Sequence, residues 1–111
     1  MNIVSIPVPD LLNYPFTTQM VQLGNQLYFF QFFWNIRHSR AYLSVYTKKN
    51  EELYYLVKNI CLIPGIVISQ YIQDTDWNGA LTFASILDGV EEDYRQDNIN
   101  TEFDIKYTTE E

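Results

Sequence analysis

The side chains that most often carry out chemistry are sparse in this chain, which has one histidine and one cysteine among 111 residues. His38 lies in the polar segment 36–40, where two arginines disfavour protonation of its imidazole. Cys61 lies between two apolar residues, and burial among apolar neighbours leaves a thiol inert. No serine, cysteine or carboxylate arrangement accompanies His38. The sequence therefore predicts a solvated turn histidine, a core thiol and no enzymatic activity.

Metal and cofactor sites are also not indicated by the spacing of the polar residues. Asp74, Asp76 and Asn78 alternate as at the start of a calcium loop, but the twelfth position is Ser85 and not a glutamate. The acids within residues 88–97 lack the spacing of a loop that wraps an ion. The four glycines stand apart in different turns, so no phosphate-binding loop is formed. We expect no metal ion and no cofactor.

The charge of the chain excludes one class of partner. The net charge is −7, and residues 87–111 hold nine acids against two bases, whereas residues 1–86 hold five of each. Nucleic-acid binding needs clustered cations that displace counterions from phosphates, so we expect no nucleic-acid partner. Neither a signal peptide nor an apolar run of the roughly 18 residues that span a bilayer is present. We expect synthesis in the cytosol without a membrane anchor.

The apolar segments read as short strands and favour an all-β fold. Aromatic residues make up 16% of the chain, and such rings are favoured on half-buried pleated surfaces. Period-two or continuous apolar runs bounded by turn residues predict strands at residues 3–7, 16–23, 27–35, 41–47, 52–57, 66–72, 80–87 and 103–108. The sequence predicts a single β domain over residues 1–111, a small antiparallel β-sandwich or partly open β-barrel of about seven or eight strands.

The clearest local prediction is a hairpin at residues 16–35. Gly24 and Asn25 supply the positive φ angles of a tight turn. The period of two divides the second strand into one face with Tyr28, Phe30, Phe32 and Trp34, and another with Leu27, Phe29, Gln31 and Phe33. With rings on both faces, either both are covered or one meets a partner.

The acidic segment 88–101 is poor in apolar residues and is predicted to be an exposed loop. Residues 90–96 within it could form one helical turn. The end of the chain, beyond the last strand, is predicted to be a short frayed tail.

The order of these features resembles the phage baseplate plug proteins, tail baseplate components of contractile-tailed bacteriophages. The marks are a first strand ending Ile6-Pro7, the hairpin VQLGNQLYFFQFFWN with Arg37 and Tyr42 after it, ICLIPGIVISQY, GALTF, and a last strand ending near Tyr107. The resemblance covers nearly the whole chain. It implies a structural role in the virion, in or near the tail hub, after assembly in the host cytoplasm. It carries over no catalytic residues.

The sequence thus predicts a structural component of a bacteriophage tail baseplate, plug or hub-proximal, that acts by protein–protein assembly. Its partners would be other tail and baseplate proteins in a symmetric homo- or hetero-oligomeric assembly. The alternative is a carbohydrate or small-ligand binding β-module that uses tryptophans and tyrosines as stacking platforms. The predicted interface residues are Trp34, Asn35, Arg37, Trp77, Glu91, Glu92 and Tyr94.

Overall fold

The computed structural model describes residues 2–73, 77–86 and 93–109. Within these ranges the strands are β1 (Asn2–Pro7), β2 (Phe16–Leu23), β3 (Gln26–Asn35), β4 (Arg40–Lys49), β5 (Glu52–Cys61), β6 (Ala80–Ser85) and β7 (Phe103–Thr109). A 3₁₀ helix spans Ile68–Tyr71, and one short helix, α1, spans Ile99–Glu102. The strands form two antiparallel sheets, β2-β3-β4-β5 and β1-β7-β6. The prediction of an all-β sandwich or open barrel is confirmed.

The four-stranded sheet is a meander built from tight turns. Gly24 has φ +63° in the β2–β3 turn, where any side chain would be strained, and Gln26 already belongs to β3. Asn50 and Glu51 both have positive φ in the β4–β5 turn, as a type I′ turn requires. The predicted hairpin at residues 16–35 is confirmed, and β4 and β5 form a second hairpin. β5 is longer than predicted, because it continues past an irregularity near Asn59 to Cys61.

The core lies between the two sheets and draws on both. Phe30 and Phe32 are fully buried on the inner side of β3, and Phe83 of β6 stacks on Phe103 of β7 with centroids 5.5 Å apart. The largest other fully buried side chains are Leu11, Leu43, Leu62, Ile68, Leu81, Ile99 and Ile105. The period of two in the sequence predicted these inward positions on β3, β6 and β7. Asp104 differs from the predicted alternation, since it is buried as well.

The predicted strand at residues 66–72 is wrong. Val67 forms one isolated bridge with Thr82, and the chain then turns into the 3₁₀ helix Ile68–Tyr71. Backbone bonds from Gly65 N to Phe83 O (2.7 Å) and from Phe83 N to Ile66 O (3.1 Å) hold the entry to this helix against β6. Ile68 is buried in this segment, whereas Val67 and Tyr71 are exposed. A short apolar run does not by itself distinguish a strand from a buried helical turn.

The described part of the predicted exposed loop at residues 88–101 is exposed only in part, at Asp93, Arg95, Asp97 and Thr101. Tyr94, Asn98 and Ile99 are buried, and a helical turn lies at Ile99–Glu102, whereas the described residues 93–96 of the predicted turn are not helical. The Asn98 side chain accepts a bond from Arg95 N (2.6 Å) and donates one to Glu102 (2.8 Å), which closes the turn. Residues 88–92 lie outside the described ranges.

Across the described ranges, the structure contains no helix that is both long enough and apolar enough to cross a bilayer.

Candidate interaction surface

The surface with most exposed apolar groups is the side of the four-stranded sheet that faces away from the core, here called the outer face. Strand register alternates its side chains with the buried ones on each strand. Its large apolar members are Phe16, Met20, Leu27, Phe29, Phe33, Tyr42, Tyr46, Leu53 and Tyr55. Its other members are Thr18, Gln22, Gln31, Ser44, Lys48, Lys58, Asn59 and Cys61. The outer face is therefore rich in rings and carries two lysines. The register also places the Asn35–Arg40 pair at one end of this face, where Arg40 is ion-paired with Asp93.

Three rings form a continuous row across β3, β4 and β5 on the outer face. Phe29 stacks on Tyr46 with centroids 5.0 Å apart and planes 10° apart, and Tyr46 meets Tyr55 at 5.2 Å. The Lys48 ammonium lies 5.5 Å from the Phe29 centroid, and the Lys58 ammonium lies 5.0 Å from the Tyr55 centroid. Cation–π attraction of this kind holds each lysine against its ring. The row Phe29, Tyr46 and Tyr55, here called the aromatic row, thus has an ordered cation at each end.

The outer face continues into a corner formed by the start of β2 and the β3–β4 turn. The Phe16 and Phe33 rings meet edge to face at 6.3 Å. Ile36 is 80% exposed beside them, and Arg37 is exposed as well. An open, mostly apolar depression of about 450 Å³ lies here, lined by Pro15, Phe16, Phe33, Trp34, Asn35, Ile36 and Arg37. Three sequence-predicted interface residues therefore line this corner, of which Asn35 is half-buried and Arg37 is exposed.

Trp34, in contrast, is a core residue. Its side chain is 6% exposed and packs edge to face against Tyr94 with centroids 5.9 Å apart. It lies on the same face of β3 as Phe30 and Phe32, as the period of two predicted. The Trp34 ring, which the sequence predicted to be a contact residue, instead packs inside the domain.

Tyr94 is likewise an internal anchor and not an exposed contact. Its hydroxyl donates to Leu62 O (2.6 Å) and accepts from Ala41 N (2.9 Å), so both polar functions are used inside the core. Burial raises the pKa of this hydroxyl. The acidic composition of the surrounding segment concealed this role, and the single ring in a polar stretch was the signal that could have revealed it.

An ion pair fixes the same segment from outside. Arg40 and Asp93 form a two-bond pair, with Nη1 to Oδ1 at 2.7 Å and Nη2 to Oδ2 at 2.6 Å. The guanidinium also lies 5.3 Å from the Tyr94 ring centroid. The bond from Arg40 lowers the pKa of the Asp93 carboxyl, and the Asp93 carboxylate raises the pKa of Arg40. This charge pair serves the fold of the domain.

Trp77 lies at the opposite end of the sandwich. Its indole Nε1 donates to Gly79 O (3.0 Å), and its ring contacts Tyr28 at 5.3 Å and Tyr107 at 5.6 Å, both edge to face. Gly79 is required here, because a Cβ would lie 2.6 Å from the Tyr107 ring at φ +107°. Near these rings an open cleft of about 410 Å³ separates the sheets.

The remaining interface predictions, Glu91 and Glu92, lie outside the described residues.

The structure brings His38 and Cys61 toward one tyrosine. His38 is exposed in its turn, as predicted, and its Nδ1 lies 3.1 Å from the Tyr42 hydroxyl. Cys61 pairs with Tyr42 across β4 and β5 and is half-buried on the outer face, so the prediction of a core thiol is wrong. Partial burial and the Cys61 side chain raise the pKa of Tyr42. Among the described hydrogen bonds none joins His38 to Cys61, so these two do not form the direct pair that activates a thiol.

Within the residues that the structure covers, no group of three or more His, Cys, Asp or Glu side chains is placed to hold a metal ion.

A family model described as cyanophage baseplate Pam3 plug gp18 matches residues 2–110. No curated protein and no solved structure matches the chain. The family match extends over nearly all 111 residues, which confirms the resemblance deduced from the sequence. The chain belongs to the family of phage baseplate plug proteins.

Proposed function

We propose that this chain is a structural, hub-proximal component of the tail baseplate that acts through protein–protein assembly. Family membership supports the baseplate. The observation that carries the assembly role is the outer face, where six large apolar side chains are exposed together: Phe16, Met20, Leu27, Phe33, Leu53 and Tyr55. Single exposed apolar residues are ordinary on a monomer, but a contiguous patch of this kind marks an interaction site.

The magnitude of exposure favours burial by a partner. Met20 is 70% exposed and Phe16 is 61% exposed on the outer face. Fully burying such a side chain contributes roughly 1.5–3 kcal/mol through the hydrophobic effect, so a few of them suffice for a stable contact. Exposed side chains of this kind therefore stabilise an assembly that buries them, and they lower the solubility of the free chain.

A ligand-binding module finds less support. Its predicted platforms were the tryptophans and tyrosines. Of the two tryptophans, Trp34 is buried and Trp77 packs against Tyr28 and Tyr107, which leaves only tyrosines for such a platform. A role in assembly needs no catalytic group, and we propose that the chain acts without enzymatic activity.

The assembly proposal keeps part of the predicted contact set. Asn35 and Arg37 line the apolar corner and remain proposed contacts. Glu91 and Glu92 remain sequence-based predictions of contact residues. We further propose assembly in the host cytoplasm within a symmetric complex.

The proposed function is tested by purifying tails from phage that encode a tagged copy of the chain. A fixed number of copies per baseplate, located at the hub in a cryo-EM reconstruction, is the expected result. Tails that contain none of the chain would contradict the proposal. Binding of the purified chain to a glycan array would instead favour the ligand-binding module.

A further inference from the structure

We propose that the outer face binds an acidic surface of another baseplate protein, with the aromatic row as its centre and Lys48 and Lys58 as its charge contacts. This inference rests on the proposed function and identifies the chemistry of the partner.

The outer face differs in charge from the rest of the chain. The chain has 14 acids and seven bases, yet none of the described side chains on the outer face is Asp or Glu. Glu51 and Glu52, the acids nearest in sequence, lie in the β4–β5 turn and at the start of β5. A surface without acids on a chain of net charge −7 is complementary to a negatively charged partner.

The two lysines of the outer face contact rings and keep hydrogen-bond donors for a partner. Each ammonium lies over a ring face, at 5.5 Å for Lys48 and 5.0 Å for Lys58. In the described part of the chain neither forms an ion pair with a carboxylate. An ammonium has three donors, and contact with a ring face leaves donors for an incoming carboxylate. The exposed guanidinium of Arg37 adds a third cation at the corner.

The rings of the aromatic row are already packed against one another in the free chain. Phe29, Tyr46 and Tyr55 already contact one another across three strands at 5.0 and 5.2 Å. Rings held in this way lose little conformational freedom on binding, and tyrosine is enriched among the residues that dominate interface energies. The row is a preformed apolar centre for the contact. The lysines at its ends select a partner that is negatively charged.

A second copy of this chain does not fit the same face. In a two-fold symmetric contact the same patch meets itself. Lys48 and Lys58 of one copy would then face those of the other, between two molecules that each carry −7. Like charges at an interface oppose association. A nucleic acid is disfavoured by the same net charge.

The test uses phage that encode the wild-type chain or the double variant Lys48→Glu/Lys58→Glu. Baseplates are purified and the copies of this chain per baseplate are counted by quantitative mass spectrometry. We expect occupancy of the double variant to fall about tenfold or more, because two attractive contacts become repulsive. The matched control is Lys106→Glu, since Lys106 is an exposed lysine on the other sheet, and its occupancy should stay within about twofold.

Salt and a milder variant keep the test independent of folding. Wild-type chain should be released from baseplates as NaCl is raised from about 50 to about 500 mM, since salt screens exposed ion pairs. If the double variant fails to fold by circular dichroism, Lys48→Gln/Lys58→Gln replaces it, with a smaller loss expected.

The outcomes separate this inference from the proposed function. Absence of the wild-type chain from baseplates would refute the proposed function. Wild-type occupancy with an equally well-incorporated double variant would refute the acidic-partner inference alone. Wild-type dimers in sedimentation that the double variant abolishes would overturn it in favour of a second copy.

Discussion

The inner and outer faces of β3 have similar composition and opposite surroundings. Phe30 and Phe32 point inward and are fully buried beneath the three-stranded sheet. Leu27 and Phe33 point outward, and Phe33 is 42% exposed. Ring content therefore makes a good strand on either face, but coverage by a second sheet decides which face becomes core. The outer rings are therefore not needed to complete the core of this domain and are available to a partner.

Two adjacent rings of β3, one on each face, should differ most in how much their removal lowers the free energy of unfolding. Phe32→Ala should lower the free energy of unfolding by about 3–5 kcal/mol, because it leaves a cavity in the core. Phe33→Ala should lower it by less than about 1 kcal/mol, because its ring is partly in water already. Urea unfolding followed by circular dichroism measures both. Equal losses would break the distinction between the faces.

Removing a single hydroxyl group from an inner or an outer tyrosine tests the same difference between the two faces. Tyr94→Phe should cost about 1–3 kcal/mol, because Leu62 O and Ala41 N both lose a buried hydrogen-bond partner. Tyr55→Phe, on the outer face, should cost less than about 0.5 kcal/mol. The same unfolding assay serves, and an unchanged midpoint for Tyr94→Phe would show that the hydroxyl does not anchor the segment.

The smallest expected effect concerns the ion pair that holds this segment. The folded state lowers the pKa of Asp93, so the pair stabilises the fold above the usual carboxylate pKa of about 4 and loses this contribution as the pH falls through the lowered value. Asp93→Asn should cost up to about 1 kcal/mol at pH 7, since its side chain is half exposed, and nothing at strongly acidic pH.

The control for Asp93→Asn is Asp97→Asn, which removes a more exposed contact with Arg95 and should have almost no effect at pH 7. A cost for Asp93→Asn that persists at pH 2 would mean that charge is not what the pair contributes.

Much of the fold was predictable because period-two alternation and turn residues are local signals. The hairpin at Gly24 and the closing strand with Phe103 and Ile105 needed no knowledge of distant contacts. The segment 66–72 was not predictable in this way, because the Ile66 carbonyl accepts a backbone hydrogen bond from Phe83 of β6. Tertiary hydrogen bonds of this kind leave no periodic mark in the sequence.

The interaction surface was predictable in part. The sequence showed that β3 carries rings on both faces, and it left open whether one of them meets a partner. It did not show which face the second sheet covers, and so it assigned Trp34 and Tyr94 to the surface. The aromatic row was not visible from the sequence, because Phe29, Tyr46 and Tyr55 come from three strands and meet through register.

The central claim is that the outer face is exposed in the free chain and covered in the baseplate. Hydroxyl-radical footprinting of the purified chain and of intact baseplates tests it directly. Met20 and Tyr55 should react in the free chain and be protected several-fold in the baseplate, while Phe32 stays unreactive in both. Equal reactivity of Met20 and Tyr55 in the free chain and in the baseplate would contradict the account.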